Sequence, residues 1–323
     1  MIYKTLKDTD MKVSALSLGT VFYDGVTFDE KGAAEQIEFY LENGGNLIDT
    51  AHLYGYFFPE NPSISEKMIG KYFKATNNRD KVFLVTKGAH PDMSTMHINR
   101  LSQKDLEKDI SESLEFLNTD HIDLYFLHRD DKNIPIGEIV ERMDDFVKKG
   151  VINRWGFSNY ETFRMKEAVE YAKKNNLTVP YANQPLYCYA TIRNEAMKDK
   201  TLVPIDQEMY SFHKDEDMFL MAYTSQAKGY FPRKLIGQTI SEDYIDVFDI
   251  PENHEKLELL KKVSKETGLS ISVLSLLFFM VQPFTAIPIV SYSKKKHFEE
   301  ALLGFEEENI EIAKQLITKY DFK

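Results

Sequence analysis

Eight times along the chain, a short apolar run is followed by a longer segment with helical spacing. The runs are Ala15–Gly19, Leu47–Asp49, Val82–Lys87, Ile122–His128, Asn153–Ser158, Pro180–Gln184, Phe219–Tyr223 and Thr285–Ile289. They are nearly continuous and lack the apolar/polar alternation of a strand with one wet face. Strands buried on both faces belong to a parallel sheet covered by helices. Between them, Phe28, Ala33, Ile37, Tyr40 and Leu41 lie at helical spacing, as do Leu106, Ile110, Leu114 and Leu117. Eight such units predict an α/β chain folded as a (β/α)8 TIM barrel. An open doubly wound sheet is the runner-up, but no G-x-G-x-x-G follows the first strand.

Punctuation fills in the rest. Tyr3–Leu16 alternates around a turn at Asp8–Asp10, which predicts a short N-terminal β-hairpin. Asn43-Gly44-Gly45 and Gly150 stop helices. Ser65 is the expected N-cap of a helix over 65–74, and Ser102-Gln103-Lys104-Asp105 reads as a capping box. The stretch 228–253, rich in Gly, Pro and Asp, reads as irregular. Helices are expected over 254–267 and 270–281, and additional C-terminal helices over 295–305 and 309–319. No linker or low-complexity segment interrupts the chain, so a single domain over 1–323 is expected.

Composition narrows the function classes. Of 323 residues, 43% are hydrophobic and 28% charged, which suits a large core without staples. The only cysteine, Cys188, allows no internal disulfide and suits a cytoplasmic protein. A net charge of −11 argues against nonspecific nucleic-acid binding. The N-terminus has no apolar core, and the longest apolar run, Val273–Val281, is too short to span a bilayer. Oligomeric state is not readable.

In a (β/α)8 barrel the active site forms at the C-terminal ends of the strands. Those ends carry Asp49, Lys87, His128, Ser158-Asn159, Gln184 and Tyr223, and Tyr54 follows Asp49 closely in GGNLIDTAHLYG. Singly, each has a structural explanation; their convergence on one rim is what points to chemistry. A phenol titrates near ~10, and an adjacent ammonium favours its ionised form. A carboxylate beside that lysine keeps it charged, and a histidine can orient a substrate oxygen. The set is suited to protonating an oxygen that becomes negative as a carbonyl is reduced. No residue supplies a hydride, so a nicotinamide or flavin is required. A metal-dependent hydrolase built on Asp49 and His128 would need more His and carboxylate at the other strand ends, which carry amide, hydroxyl and phenol groups; no metal site is expected.

These residues fall in motifs that resemble the aldo-keto reductase family. GGNLIDTAHLYG is similar to its first signature, and DISESLEFLNTDHIDLYFLH, Asp109–His128, to its second. VTKG, WGFSN and MAYTSQAKG fall in the expected order, so the resemblance covers nearly the whole chain. It implies a barrel that binds NADP(H), less often NAD(H), and interconverts a small-molecule carbonyl and its alcohol. It implies Tyr54 as general acid/base, Lys87 and Asp49 as its tuning pair, and His128 as the group orienting the carbonyl. Ser158, Asn159 and Gln184 match the positions holding the nicotinamide carboxamide, and Tyr223 the aromatic that stacks on its ring. Thr224, Ser225, Gln226 and Gly229 match the loop near the pyrophosphate. Some proteins of this fold are regulatory partners of channels, so a non-catalytic, cofactor-binding subunit is the alternative.

Three departures bear on specificity. Tyr56–Ile64 intervenes after Tyr54, so Tyr56 and Phe57 become candidate pocket residues. His128 is followed by Arg129, Asp130 and Asp131, and the two carboxylates could bind a sugar-like substrate or serve as ion-pair partners. At the adenosine end, Ser291, Ser293 and His297 occupy the usual contact positions beside Lys294–Lys296. The resemblance favours NADP(H), with NAD(H) left open; the lysines could supply positive charge for a phosphate or form a solvated first turn. The glycines of 228–253 suit a mobile segment over the cofactor.

Overall fold

Residues Tyr3–Thr5 (β1) and Lys12–Ser14 (β2) pair antiparallel, with Tyr3 opposite Ser14, as the expected hairpin. A computed structural model describes residues 1–55 and 62–317. Eight parallel strands follow: Ser17–Gly19 (β3), Leu47–Asp49 (β4), Phe83–Gly88 (β5), Leu124–Leu127 (β6), Trp155–Ser158 (β7), Ala182–Gln184 (β8), Phe219–Ala222 (β9) and Ala286–Val290 (β10). They form a closed barrel in chain order. Strands β3 to β9 are buried at every position, which is why their sequences do not alternate.

The helices are Glu30–Glu42 (α1), Ile64–Thr76 (α2), Gln103–Leu117 (α3), Ile136–Lys148 (α4), Thr162–Asn175 (α5), Gln207–Glu216 (α6), Tyr230–Leu235 (α7), Ile245–Phe248 (α8), Pro251–Thr267 (α9), Ile271–Leu277 (α10), Lys295–Gly304 (α11) and Ile310–Ile317 (α12). Asp29 caps α1 by accepting from Gly32 N at 2.8 Å. Ser102 caps α3 by accepting from Asp105 N at 3.2 Å, and its own hydroxyl donates to the Asp105 carboxylate.

The expected cap at Ser65 is incorrect. Ser63 takes the cap position with φ 56° and donates to the His52 carbonyl at 2.7 Å. Ser65 lies one residue inside α2, fully buried, in a network described below. The stretch 228–253 contains α7 and α8, both too short to leave a periodic signal. Helix α9 starts at Pro251, which needs no N–H partner in a first turn. The expected helix over 270–281 ends at Leu277 and continues as a 3-10 turn, Phe278–Val281.

Packing divides the chain into two units: residues 17–184, and residues 1–16 with the chain from Pro185 onward. In the first, the registers Gly19 to Asp49, Asp49 to Val85, Lys87 to Phe126, and Ser158 to Gln184 bring the C-terminal ends of β3–β8 to one side. The second holds the hairpin, β9, β10 and α6–α12. Among the described residues no single helix is long and apolar enough to cross a membrane.

Candidate active site

The approach to β4 is tightly built. Tyr40 of α1 donates its hydroxyl to the Leu47 carbonyl at 3.0 Å and accepts from Leu47 N at 3.2 Å. A Cβ on Gly45 would lie 2.1 Å from the Tyr40 ring, so only glycine fits there. Beyond β4 the chain stays stitched to β5: Thr50 N donates to Val85 O and His52 N to Lys87 O, both at 2.9 Å. These bonds fix Asp49, Thr50 and Tyr54 relative to Lys87.

Lys87, 1% exposed, places its ammonium among three acceptors. It donates to Asp49 Oδ2 at 2.8 Å, to the Thr50 carbonyl at 2.6 Å and to the Tyr54 hydroxyl at 3.3 Å. An ammonium has three N–H groups, and all three are used. The second Asp49 oxygen accepts from Gln184 Nε2 at 2.8 Å. Both Asp49 oxygens are therefore acceptors, as suits a carboxylate. Burial pushes the Asp49 carboxyl up, and Lys87 and Gln184 oppose it. Burial also works against the Lys87 ammonium, but Asp49 and Tyr54 outweigh it and raise its pKa.

Tyr54 departs from expectation. Lys87 does favour its phenolate, but burial is the larger effect, and the phenol is held above its ordinary range. Tyr54 thus stays protonated at neutral pH. It yields its proton only to a strong base.

His128 is held by its backbone. Its N–H donates to Gly88 O at 2.9 Å. Its carbonyl accepts from Arg129 Nη1 at 2.9 Å and from Asn159 Nδ2 at 3.2 Å. His128 as a whole is half-buried, but desolvation of its ring, then the Arg129, His90 and Lys87 charges, hold the imidazole well below its usual pKa, so it is neutral. Among the described residues its buried Nδ1 has no hydrogen-bond partner. A buried orphan lone pair costs less than a buried orphan N–H, so the proton resides on Nε2. His128 is then a neutral hydrogen-bond donor through Nε2.

Ser158, Asn159 and Gln184 stand together at the ends of β7 and β8. Ser158 Oγ donates to the Gln184 carbonyl at 2.8 Å, and Asn159 Nδ2 lies 3.1 Å from Ser158 Oγ. Asn159 adopts φ 61°, a left-handed conformation Asn tolerates better than most residues. In the second unit, Tyr223 follows the last residue of β9, and its carbonyl accepts from Tyr187 N at 2.6 Å. Thr224 O accepts from Ala227 N at 2.8 Å, and Ser225 Oγ donates to Ile289 O of β10. Gln226 Nε2 donates to Ser272 Oγ at 2.7 Å, and Gly229 takes φ 78°. Ser291 is half-buried, whereas Ser293 and His297 are exposed. Lys295 and Lys296 lie 3.9 and 3.8 Å from Glu299 and Glu300 of their own helix.

The carboxylates expected to meet a sugar have other partners. Asp130 forms a two-pronged pair with buried Arg164, at 2.9 and 3.0 Å. Asp131 Oδ1 accepts from Asn133 N and Nδ2 at 3.0 and 3.1 Å, closing a turn. Tyr56 and Phe57 lie outside the described residues. In the stretch 228–253, Asp249 accepts from Lys234 at 2.8 Å, His254 at 2.6 Å and Tyr230 at 3.0 Å, and these donors hold its carboxyl down at about 2.

Two contributors were missed. The Thr50 carbonyl is a backbone atom that no residue type announces. His90, 5% exposed, packs its ring edge-on against His128 with centroids 4.8 Å apart. A histidine three residues past Lys87 was a visible signal.

A family model described as Aldo/keto reductase family matches residues 15–316. The chain belongs to this family. It is 28% identical over 296 residues to "Uncharacterized oxidoreductase YrpG" of Bacillus subtilis (strain 168), covering 90% of this chain and 86% of that one. It is 26% identical over 314 residues to "Putative voltage-gated potassium channel subunit beta" of Schizosaccharomyces pombe, covering 94% and 88%. Its fold matches the crystal structure of the thermostable aldo-keto reductase Tm1743 in complex with the inhibitor epalrestat, with TM-score 0.69 and 23% identity, covering 98% of this chain and 100% of that one. As an aldo/keto reductase, the chain is an oxidoreductase of a family that uses nicotinamide cofactors.

Proposed function

We propose that this aldo/keto reductase reduces an aldehyde or ketone to an alcohol, or runs the reverse reaction, with Tyr54 as general acid/base. The observation that carries the reading is the Lys87 ammonium, 3.3 Å from the Tyr54 hydroxyl and anchored on its other sides by Asp49 and Thr50. As Tyr54 gives its proton to the substrate oxygen, the ammonium stabilises the phenolate left behind. His128, neutral and protonated on Nε2, donates a hydrogen bond that orients that oxygen.

When bound, a nicotinamide supplies the hydride. The residues suit it: Gln184 commits its amide nitrogen to Asp49, leaving its oxygen as an acceptor for a carboxamide N–H. Ser158 and Asn159 would share the carboxamide, and Tyr223 would stack on the ring. Thr224–Gly229 would face the pyrophosphate, and Ser291, Ser293 and His297 the adenosine end. NADP(H) is favoured over NAD(H) on the family resemblance, with Lys294–Lys296 at the start of α11 as added positive charge near that end.

The test follows oxidation of NADPH and of NADH with a panel of aldehydes and ketones. Turnover that Tyr54→Phe abolishes, with cofactor binding retained, supports the reading; a clear preference for NADH ends the NADP(H) assignment. The similarity to the channel-subunit relative favours a second reading, a cofactor-binding regulatory subunit. Tight cofactor binding without turnover of any carbonyl would select it.

A further inference from the structure

His90 lies outside every motif matched above, yet its place is tightly built. Ala89, at φ 61°, donates its N–H to Asp109 Oδ2 at 2.8 Å. Arg100 pairs with Asp109 and donates from Nη1 to the His90 carbonyl at 3.2 Å. His90 Nδ1 lies 2.6 Å from the Pro91 carbonyl. A carbonyl only accepts, so His90 carries its proton on Nδ1 and a lone pair on Nε2 when neutral. Two charged side chains, Asp109 at 0% and Arg100 at 16% exposure, are thus committed to one short loop. That loop brings to the site an imidazole packed at 71° against His128.

We propose that His90 is a positioning residue for the reaction: its ring is the wall that orients the His128 imidazole and keeps water from it, so that His128 remains a neutral donor. The proposal rests on the carbonyl-reductase reading. The charged and titratable groups acting on His128 among the described residues are Arg129, beside it in the chain, and His90 and Lys87 from the end of β5. Lys87 and Arg129 remain whatever replaces His90. What changes is the ring contact, the water it excludes and His90's own charge effect; His90→Phe and His90→Asn both remove the last, so the difference between them reads the first two. An open cavity there would hydrate His128, ease its protonation and let the ring turn.

The experiment compares His90→Ala, His90→Phe and His90→Asn in the full chain. It reads the His128 titration by NMR of ring-labelled histidine, the pH dependence of kcat/KM and cofactor Kd. For His90→Ala the expected result is a His128 titration raised by about one unit and a loss of roughly tenfold in kcat/KM on the acid side. Cofactor Kd stays unchanged. His90→Phe keeps a ring at the contact and restores both to near wild type, whereas His90→Asn does not. A His128 titration unmoved in His90→Ala overturns the proposal, as does His90→Phe behaving like His90→Ala. If the wild-type protein reduces no carbonyl, the functional reading fails separately, and the NMR titration still decides whether His90 governs His128.

Discussion

The Thr50 carbonyl oxygen lies 2.6 Å from Lys87 Nζ, and with Asp49 and Tyr54 it uses up the lysine's hydrogen-bonding capacity. The three acceptors surround a compact ammonium, an arrangement a planar guanidinium does not match. Lys87→Arg is therefore expected to lose turnover by about a hundredfold or more, nearly as fully as Lys87→Met. Lys87→Met also leaves the buried Asp49 carboxylate with only Gln184, which should cost roughly 3–5 kcal/mol. Steady-state rates and urea unfolding of the two variants check both expectations. A Lys87→Arg variant with near-normal kcat would show that charge alone suffices.

The raised pKa of Tyr54 sets the pH dependence. A group raised above its ordinary value keeps its proton longer as pH rises, so the acid form needed for reduction persists through neutrality. The reduction rate should be flat through neutral pH and fall only above about 10, while the oxidation rate climbs over the alkaline range. His128 is displaced the other way, so its protonation should weaken reduction only well below about 6.5. Profiles of kcat/KM in both directions measure this. An alkaline limb near neutrality would mean that Lys87, not burial, governs the phenol.

Gln184 holds Asp49 and is also proposed to meet the cofactor. Gln184→Glu would place a second carboxylate against Asp49 Oδ1, where an amide N–H now lies at 2.8 Å. Both positions are 1% exposed, so the cost should be about 3 kcal/mol unless one carboxyl takes up a proton. Stability measured against pH separates the cases: the variant should recover as pH falls and one of the two acids becomes neutral. A deficit independent of pH would point to a packing defect.

The barrel and the meeting of Asp49, Tyr54 and Lys87 were legible because each rests on a pattern that survives without coordinates. Continuous apolar runs report two-sided burial, and strand ends report which side chains share a rim. What escaped depends on atoms that carry no residue signature. The Thr50 carbonyl is one. The pKa of Tyr54 is another, since its sign depends on how much water the fold leaves beside the phenol. Asp130 shows a third limit: the sequence does not reveal which cation an acidic residue near a strand end will meet, here Arg164 at 2.9 Å. Ser65 was misread for a similar reason. Serine before a helical pattern is a common cap, but here the chain enters α2 through a left-handed Ser63, freeing Ser65 for a tertiary bond.

That tertiary bond supports the last prediction. Thr20 Oγ1 donates to the Asp49 carbonyl at 3.1 Å and accepts from Ser65 Oγ at 2.8 Å. The Thr20 carbonyl, 3.1 Å from Ser65 Oγ, shares that proton; with its only proton committed to Thr20, Ser65 is the acceptor at the 2.9 Å contact with Thr50 Oγ1. The hydroxyls form one directed chain from Thr50 through Ser65 and Thr20 to Asp49, fully buried. Ser65→Ala removes the middle link and leaves the Thr50 hydroxyl without that acceptor, a cost of roughly 1–3 kcal/mol. Because the Thr50 carbonyl also anchors Lys87, turnover should fall with stability. Asp29→Ala removes a true cap, exposed and accepting from Gly32 N, and should cost about 1 kcal/mol with little change in turnover. Urea midpoints and kcat for the two variants make the comparison. Equal effects on turnover would mean that the hydroxyl chain serves folding alone.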